Sequence, residues 1–191
     1  MKKRCLWSFS KLMLAYHDKE WGTPLHQDRK LFEFLILDIF QAGLNWSIIL
    51  HKRRDFKKAF DEFNVKKIAQ YKEDKVDELL KNPKIIRNRL KIQSTIINAR
   101  QFIKIQKKYK TFDKYIWNFV KGKPIVNCHE SPYEIPTNSL ESDEMSIQLK
   151  KDGFKFIGSK ICYAFMQSTG MVNDHLTSCF RYKELQNKTE F

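Results

Sequence analysis

The sequence is poor in glycine and proline and has no long apolar run. Six Gly and five Pro in 191 residues exclude collagen-like and low-complexity chains. No stretch approaches the ~18 consecutive apolar residues of a membrane span. The basic start MKKRCLW has the flavour of a secretion signal, but Ser8, Ser10, Lys11 and His17 interrupt any apolar core behind it. No membrane association and a soluble, cytoplasmic protein are expected. Cysteine is scarce: residues 5, 128, 162 and 179 form no close pair, so a disulfide scaffold is excluded and reduced thiols, some on a metal, are expected. Acid is in short supply too, with 22 Asp+Glu against 36 Lys+Arg and a net charge of +14. That surplus points to a polyanion partner; the alternative is a merely lysine-rich surface.

What the chain does have is apolar mass. Hydrophobic residues make up 42%, with 15 Phe and 4 Trp, enough for a packed core and too much for a disordered tail. The length suits a single domain spanning 1–191. Periodicity is helical nearly throughout, with no sustained strand-type alternation. Asp28 is placed to cap a helix to about Phe40, which Gly43 breaks. Asn45 caps a second to about Phe60, Asn64 a short third, and Asp74–Leu80 reads as a fourth. Pro83 stands where a first-turn proline belongs, ahead of a long helix to Tyr109. A short helix over 112–120 and a surface connection over 121–141 follow. Ser142 is placed to cap a helix to Asp152, and Ser159 one ending at Gly170.

The loop between those last two helices, about 142–170 in all, reads GFKFIG. Gly153 suits the C′ position of one helix and Gly158 lies just before the next N-cap. A glycine-bracketed loop lets a partner approach the backbone, and the helix start behind it offers outward N–H groups and the positive dipole end. Lys150, Lys151, Lys155 and Lys160 surround it. Such an element grips phosphate without reading bases; the plain alternative is an ordinary αα-corner.

His175 and Cys179 are four apart in a segment expected to be helical, which places both on one face. With Cys5 and His17 they complete the two-Cys, two-His set of a closed structural zinc site. A pair at that spacing also arises by chance. Cys162, in an apolar helix, reads as a core residue and Cys128 as a loop thiol. Trp7, Tyr16, Trp21 and Trp46 concentrate aromatic faces near the N-terminus, either as core or as a pocket that holds a flipped base. Asp38 shares a helical face with Leu31, Phe34 and Leu35. A carboxylate there is partnered, lines a cavity, or bonds a nearby backbone N–H. Glu33 lies off that face and is expected in solvent.

The runs Cys5-Leu6-Trp7, AYHDKEWG (15–22), QAGLNW (41–46), EIPT (134–137), GFKFIG with ICYAFMQ (161–167), and MVNDH with Cys179 resemble the 3-methyladenine DNA glycosylase I family along almost the whole chain. The resemblance implies an all-α helix–hairpin–helix glycosylase fold, with zinc joining the N- and C-terminal segments. It implies one structural Zn2+ on Cys5, His17, His175 and Cys179. It implies a base-excision repair enzyme, a monofunctional N-glycosyl hydrolase. Its partner would be double-stranded DNA containing 3-methyladenine, with a monomer as the expected state. Trp46 would stack on the flipped adenine beside Trp7 and Tyr16, with Trp21 near. Leu44 would wedge the opened duplex, and Gly153, Lys155, Gly158 and Lys160 would hold phosphate. The family's pocket carboxylate is a Glu, matched here by Asp38, and Phe40 stands where the family has Gln. The wider superfamily carries a catalytic Asp where this chain reads Val172-Asn173-Asp174-His175; the family resembled does without it. The Glu-to-Asp change keeps two other readings open, a non-catalytic DNA-binding module and an enzyme of altered base preference.

Overall fold

The computed structural model describes residues 2–8 and 10–186. It is mostly helical: α1 (Lys11–Lys19), α2 (Asp28–Gln41), α3 (Trp46–Ala59), α4 (Val65–Ile68), α5 (Glu73–Lys81), α6 (Arg89–Tyr109), α7 (Phe112–Trp117), α8 (Leu140–Lys151), α9 (Ser159–Ser168) and α10 (Phe180–Gln186). A two-residue parallel pair, β1 (Ile125–Val126) with β2 (Val172–Asn173), joins the 121–139 connection to the segment after α9. Among the described residues no helix is long and apolar enough to cross a membrane.

The apolar pattern explains the centre. Every residue of α2 from Leu31 to Phe40 is buried, which is what a helix apolar on all sides requires. It packs against α3, α6, α7 and α9. Phe32 meets Phe102 of α6 edge to face, and Phe40 meets Phe56 at 4.8 Å and Phe60 at 5.9 Å. Each such ring removed from water is worth about 1.5–3 kcal/mol. Helix α6 is the long strut beneath, and α8 and α9 pack antiparallel-style across the turn 152–158.

Several expected boundaries move, each for a visible reason. Asn45 and Asn64 do cap α3 and α4, accepting from Ser47 N and Lys67 N. Asp28 is not a cap but the first residue of α2; its carboxylate accepts from Phe112 N and Asp113 N and so caps α7 instead. Pro83 lies in a loop, and the long helix starts only after Asn88, whose side chain accepts from Lys91 N. Ser139, not Ser142, caps α8; Ser142 reciprocates as the third residue of a capping box. Gly158, not Ser159, precedes α9, which ends at Ser168 rather than Gly170. Helix α1 has no counterpart in the sequence reading, although Ser10 caps it and Met13, Tyr16 and His17 form its buried face.

Candidate active site

A cavity of about 780 Å³ opens between α1, α2, the start of α3, α9 and the 132–137 stretch. Trp7, Tyr16, Trp21 and Trp46 form its aromatic side. The rings run as a chain: Trp21 against Trp7 at 4.9 Å, Trp7 against Tyr16 at 6.3 Å, Tyr16 against Trp46 at 5.4 Å. The indole N–H of Trp46 is buried and has no hydrogen-bond partner among the described residues, a donor left for something that enters. Tilted rings around a void, rather than interdigitated ones, are what a planar guest needs.

Asp38 reaches this cavity from α2 and is 4% exposed. Its Oδ2 accepts from Ser168 Oγ at 3.0 Å. Burial pushes its acid up to about 8, against the opposing pull of Ser168 and the Arg53 charge. Burial thus favours the protonated form of Asp38 at neutral pH. A cation beside it would pull the value back down. Phe40 takes no part in the cavity; it faces the core rings Phe56 and Phe60, so the space beside Asp38 is lined by Gln41.

Glu33, expected in solvent, is buried instead. Arg53 Nε donates to Glu33 Oε1 at 2.7 Å, and Arg53 Nη1 donates to Glu20 at 2.7 Å. Against the upward push of burial, Arg53, Lys30 and Lys57 hold Glu33 below its ordinary range. The guanidinium also lies over the Phe34 ring at 4.9 Å. The apolar residues around Glu33 in sequence, Phe32 and Phe34 beside it, gave no sign of this partner, which comes from α3.

Behind Trp21 and Trp7, Cys5, His17, His175 and Cys179 converge, all buried, with their ligand atoms within 4.8 Å of one another. His175 and Cys179 do not share a helical face; the chain between them is a turn, and convergence comes from the loop. Cys179 Sγ lies 3.4 Å from His17 Nε2 and 3.6 Å from His175 Nδ1, and Cys5 Sγ lies 3.6 Å from His175 Nδ1. Zinc–sulfur and zinc–nitrogen bonds at the tetrahedral angle imply an S···N edge of about 3.5 Å. The far ring nitrogens are fixed as such a site requires: His175 Nε2 donates to Trp21 O at 3.1 Å and His17 Nδ1 meets Asp18 Oδ1 at 2.8 Å. Arg4 first, then His17, hold Asp18 down to about 2. Cys5 first, then His17 and His175, hold the Cys179 thiol far below its usual range. The donor set and its spacing fit a tetrahedral metal.

Of the DNA-side candidates, Leu44 and Lys160 border the cavity, whereas Gly153, Lys155 and Gly158 lie outside its lining. Leu44 sits in the turn after α2 and lines the cavity edge, 38% exposed. Lys160, in the first turn of α9, lines the opposite edge. Gly153 has φ +87°, so the turn needs glycine there. Lys155 presents its side chain outward, but its backbone N–H is already used, donating to Asn98 Oδ1 at 2.7 Å.

The sequence model of the methyladenine glycosylase family matches residues 7–182. The chain belongs to this family. Among similar proteins is DNA-3-methyladenine glycosylase 1 of Escherichia coli (strain K12), 43% identical over 94% of this chain and 97% of its own. A crystal structure of 3-methyladenine DNA glycosylase I shares 45% identity and superposes with a TM-score of 0.91 over 93% of this chain and 98% of that one. The Staphylococcus aureus glycosylase, solved for the structural basis of 3-methyladenine recognition, gives 32% identity and a TM-score of 0.89 over 93% and 95%.

Within this family member, sequence reasoning missed half of the cavity. Pro132, Ile135, Pro136 and Thr137 wall it from the 121–139 connection, and Tyr163, Gln167 and Ser168 wall it from α9. The EIPT run marked the first group without giving it a role. The wall is tied together by Asp174, which lies outside the cavity lining and is fully buried. It accepts from Asn127 Nδ2, Tyr163 OH and Gln167 Nε2, each at 2.7 Å, and His129 Nε2 stands 3.3 Å away. Three hydrogen bonds and full burial make it a brace of the wall rather than a group presented to the cavity.

Proposed function

We propose that this protein is a base-excision repair DNA glycosylase that flips 3-methyladenine out of alkylated DNA and hydrolyses its N-glycosidic bond, leaving an abasic site. The observation that carries this is the electron-rich cavity: four aromatic rings beside one buried carboxyl, 780 Å³ in volume, in a chain 43% identical to a DNA-3-methyladenine glycosylase. 3-Methyladenine in DNA is cationic, so the enzyme need not protonate its leaving group. Trp46, Tyr16 and Trp7 offer π faces to the positive ring, with Trp21 bracing them. Asp38 ionises against that charge and accepts from the adenine amino group. The C1′–N bond breaks with its electron pair going to the base, which leaves as neutral 3-methyladenine. Water adds to the oxocarbenium-like sugar and releases its proton to solvent.

Leu44 wedges the gap in the duplex. The turn 152–158 with α8 and α9 acts as a helix–hairpin–helix phosphate grip, through Gly153, Gly158, Lys155 and Lys160 and the free N–H groups at the start of α9. Because the Lys155 amide is taken by Asn98, its contribution is the ammonium. Cys5, His17, His175 and Cys179 hold one Zn2+; four protein ligands leave no open position, so the ion is structural and ties the first turn of the chain to its last. The protein works as a cytoplasmic monomer in one domain.

The test is chromatography of free bases released from methylated duplex DNA. Release of 3-methyladenine is expected. Release chiefly of another alkylated base would mean an altered preference, and binding without release a DNA-binding module.

A further inference from the structure

We propose that helix α6 is the spacer that fixes the distance between two DNA-facing turns, 41–45 at the cavity edge and 152–158 outside its lining, with Lys91 and Asn98 as positioning residues. The inference rests on the glycosylase reading above, in which the 41–45 turn wedges the duplex and the 152–158 turn grips phosphate.

Both residues are buried polar groups, at 7% and 0% exposure, and both spend their polar atoms on the backbone of one of these turns. Lys91 Nζ donates to Phe40 O at 3.0 Å and to Ala42 O at 2.7 Å. These are carbonyls at the C-terminus of α2, where a cation is favoured by the dipole. The turn they anchor carries Leu44; its own backbone adds Leu44 N to Gln41 O at 2.7 Å and a longer Ala42 N to Ile39 O at 3.3 Å, and around Gly43, at φ +81°, no described atom lies within 4 Å of where a Cβ would stand. Asn98 does the same for the other turn. Its Nδ2 donates to Lys155 O at 3.0 Å and its Oδ1 accepts from Lys155 N at 2.7 Å. That is the two-bond pattern of a strand pair, supplied by one side chain. One helical step further, the Gln101 side chain closes on Gly153, 3.2 Å from where a Cβ would stand.

Lys91 and Asn98 are seven residues apart on α6, two turns, so they share a face and lie about 10 Å apart along its axis. A helix is stiff over that length, so it holds in one frame the 41–45 turn and the 152–158 turn, the latter seated also by the buried Phe154 and Ile157. Catalysis needs the wedge and the grip in one register on the duplex, since a displacement of about 1 Å in a positioned group costs on the order of a hundredfold. Neither Lys91 nor Asn98 lines the cavity, which separates their effect from base recognition.

The experiment compares wild type with Lys91→Met, Lys91→Arg, Asn98→Ala and Asn98→Asp. Three readouts are single-turnover base release from methylated duplex DNA, affinity for undamaged duplex, and affinity for free 3-methyladenine from tryptophan fluorescence. Lys91→Met is expected to slow release about tenfold, the scale of a lost charge-assisted hydrogen bond, with Lys91→Arg restoring most of it. Asn98→Ala should lower both release and affinity for undamaged duplex by about tenfold. Asn98→Asp, which keeps the acceptor for Lys155 N–H and loses the donor, should fall between. Free-base affinity should stay within about twofold of wild type in all four, as no pocket hydrogen bond is lost. A parallel loss of free-base affinity, or no loss of release and duplex binding, overturns the spacer. Duplex binding by Asn98→Ala tests it independently even where wild type releases no base, an outcome that would instead overturn the glycosylase reading.

Discussion

Among the described residues Asp38 has one hydrogen-bond partner, Ser168, and burial holds its acid up at about 8. Two predictions follow from that single side chain. The first concerns excision. The free enzyme gives up this proton to bind a cationic base, so kcat/KM for 3-methyladenine release in the wild type rises with pH, is half-maximal near pH 8 and levels off above that. In Asp38→Asn that rise is absent, and single-turnover release at the plateau is slower by roughly ten- to a hundredfold, for a charge-assisted bond of ~1.5–3 kcal/mol. An Asn variant as fast as wild type would make Asp38 structural. The second concerns stability. The folded acid holds its proton up to about 8, while the unfolded one releases it near 3.8. Between those values the unfolded state binds fewer protons, so the protein loses stability as pH rises. Asp38→Asn removes the loss: its melting temperature should exceed that of wild type at pH 8 and match it at pH 4, by thermal denaturation at both. Asp38→Glu, with Phe40 turned into the core, has room to keep activity.

At the level of elements, the end of α9 shows how tightly the cavity is framed. Gly170 has φ +70°, and a Cβ there would stand 2.2 Å from the carbonyl carbon of Thr23. The 22–25 stretch pairs with that helix end through Gly22 N to Gln167 O and Leu25 N to Thr169 O. Gly170→Ala must therefore move backbone as well as adopt a left-handed conformation, and should cost roughly 3 kcal/mol or more in urea unfolding. Helix starts explain what could be read in advance. Asn45 and Asn64 were legible because each caps its own helix. Asp28 was not, because its carboxylate serves α7, more than eighty residues away. Ser142 and Ser159 look like caps in sequence, yet their hydroxyls bond each other at 2.9 Å across the α8–α9 turn. The Cys/His quartet was nameable by residue type and resemblance, while the helical geometry offered for two of its members was wrong. The acid on the apolar face of α2 was legible, but Ser168, 130 residues on, and the 132–137 wall were not, since no local period connects segments that meet only in the fold.

For the molecule as a whole, the net charge of +14 sets how it meets DNA. Binding to undamaged duplex should weaken steeply with salt, and Lys155→Ala or Lys160→Ala should each flatten the slope of log K against log salt by about one unit; unchanged slopes in both would move the grip elsewhere. Metal analysis of the purified protein should find one zinc per chain. Cys179→Ser should lose it and melt lower by roughly 10 °C, at about 2–4 °C per kcal/mol for a chain of this size. Metal-free wild type of ordinary stability would refute the site. The ligand set also has a temporal side. Cys5 and His175 are 170 positions apart, and Trp7 and Trp21 lean on the histidines of that cluster at 5.3 and 4.6 Å. At about 5–20 residues per second, the ribosome needs on the order of ten to thirty seconds between making the first ligand and the last. Through that interval the N-terminal aromatic wall has no backing, and the nascent segment carries two thiol or imidazole donors without their partners. The aromatic wall of the cavity is thus begun first, and its backing by His175 and Cys179 is synthesised last.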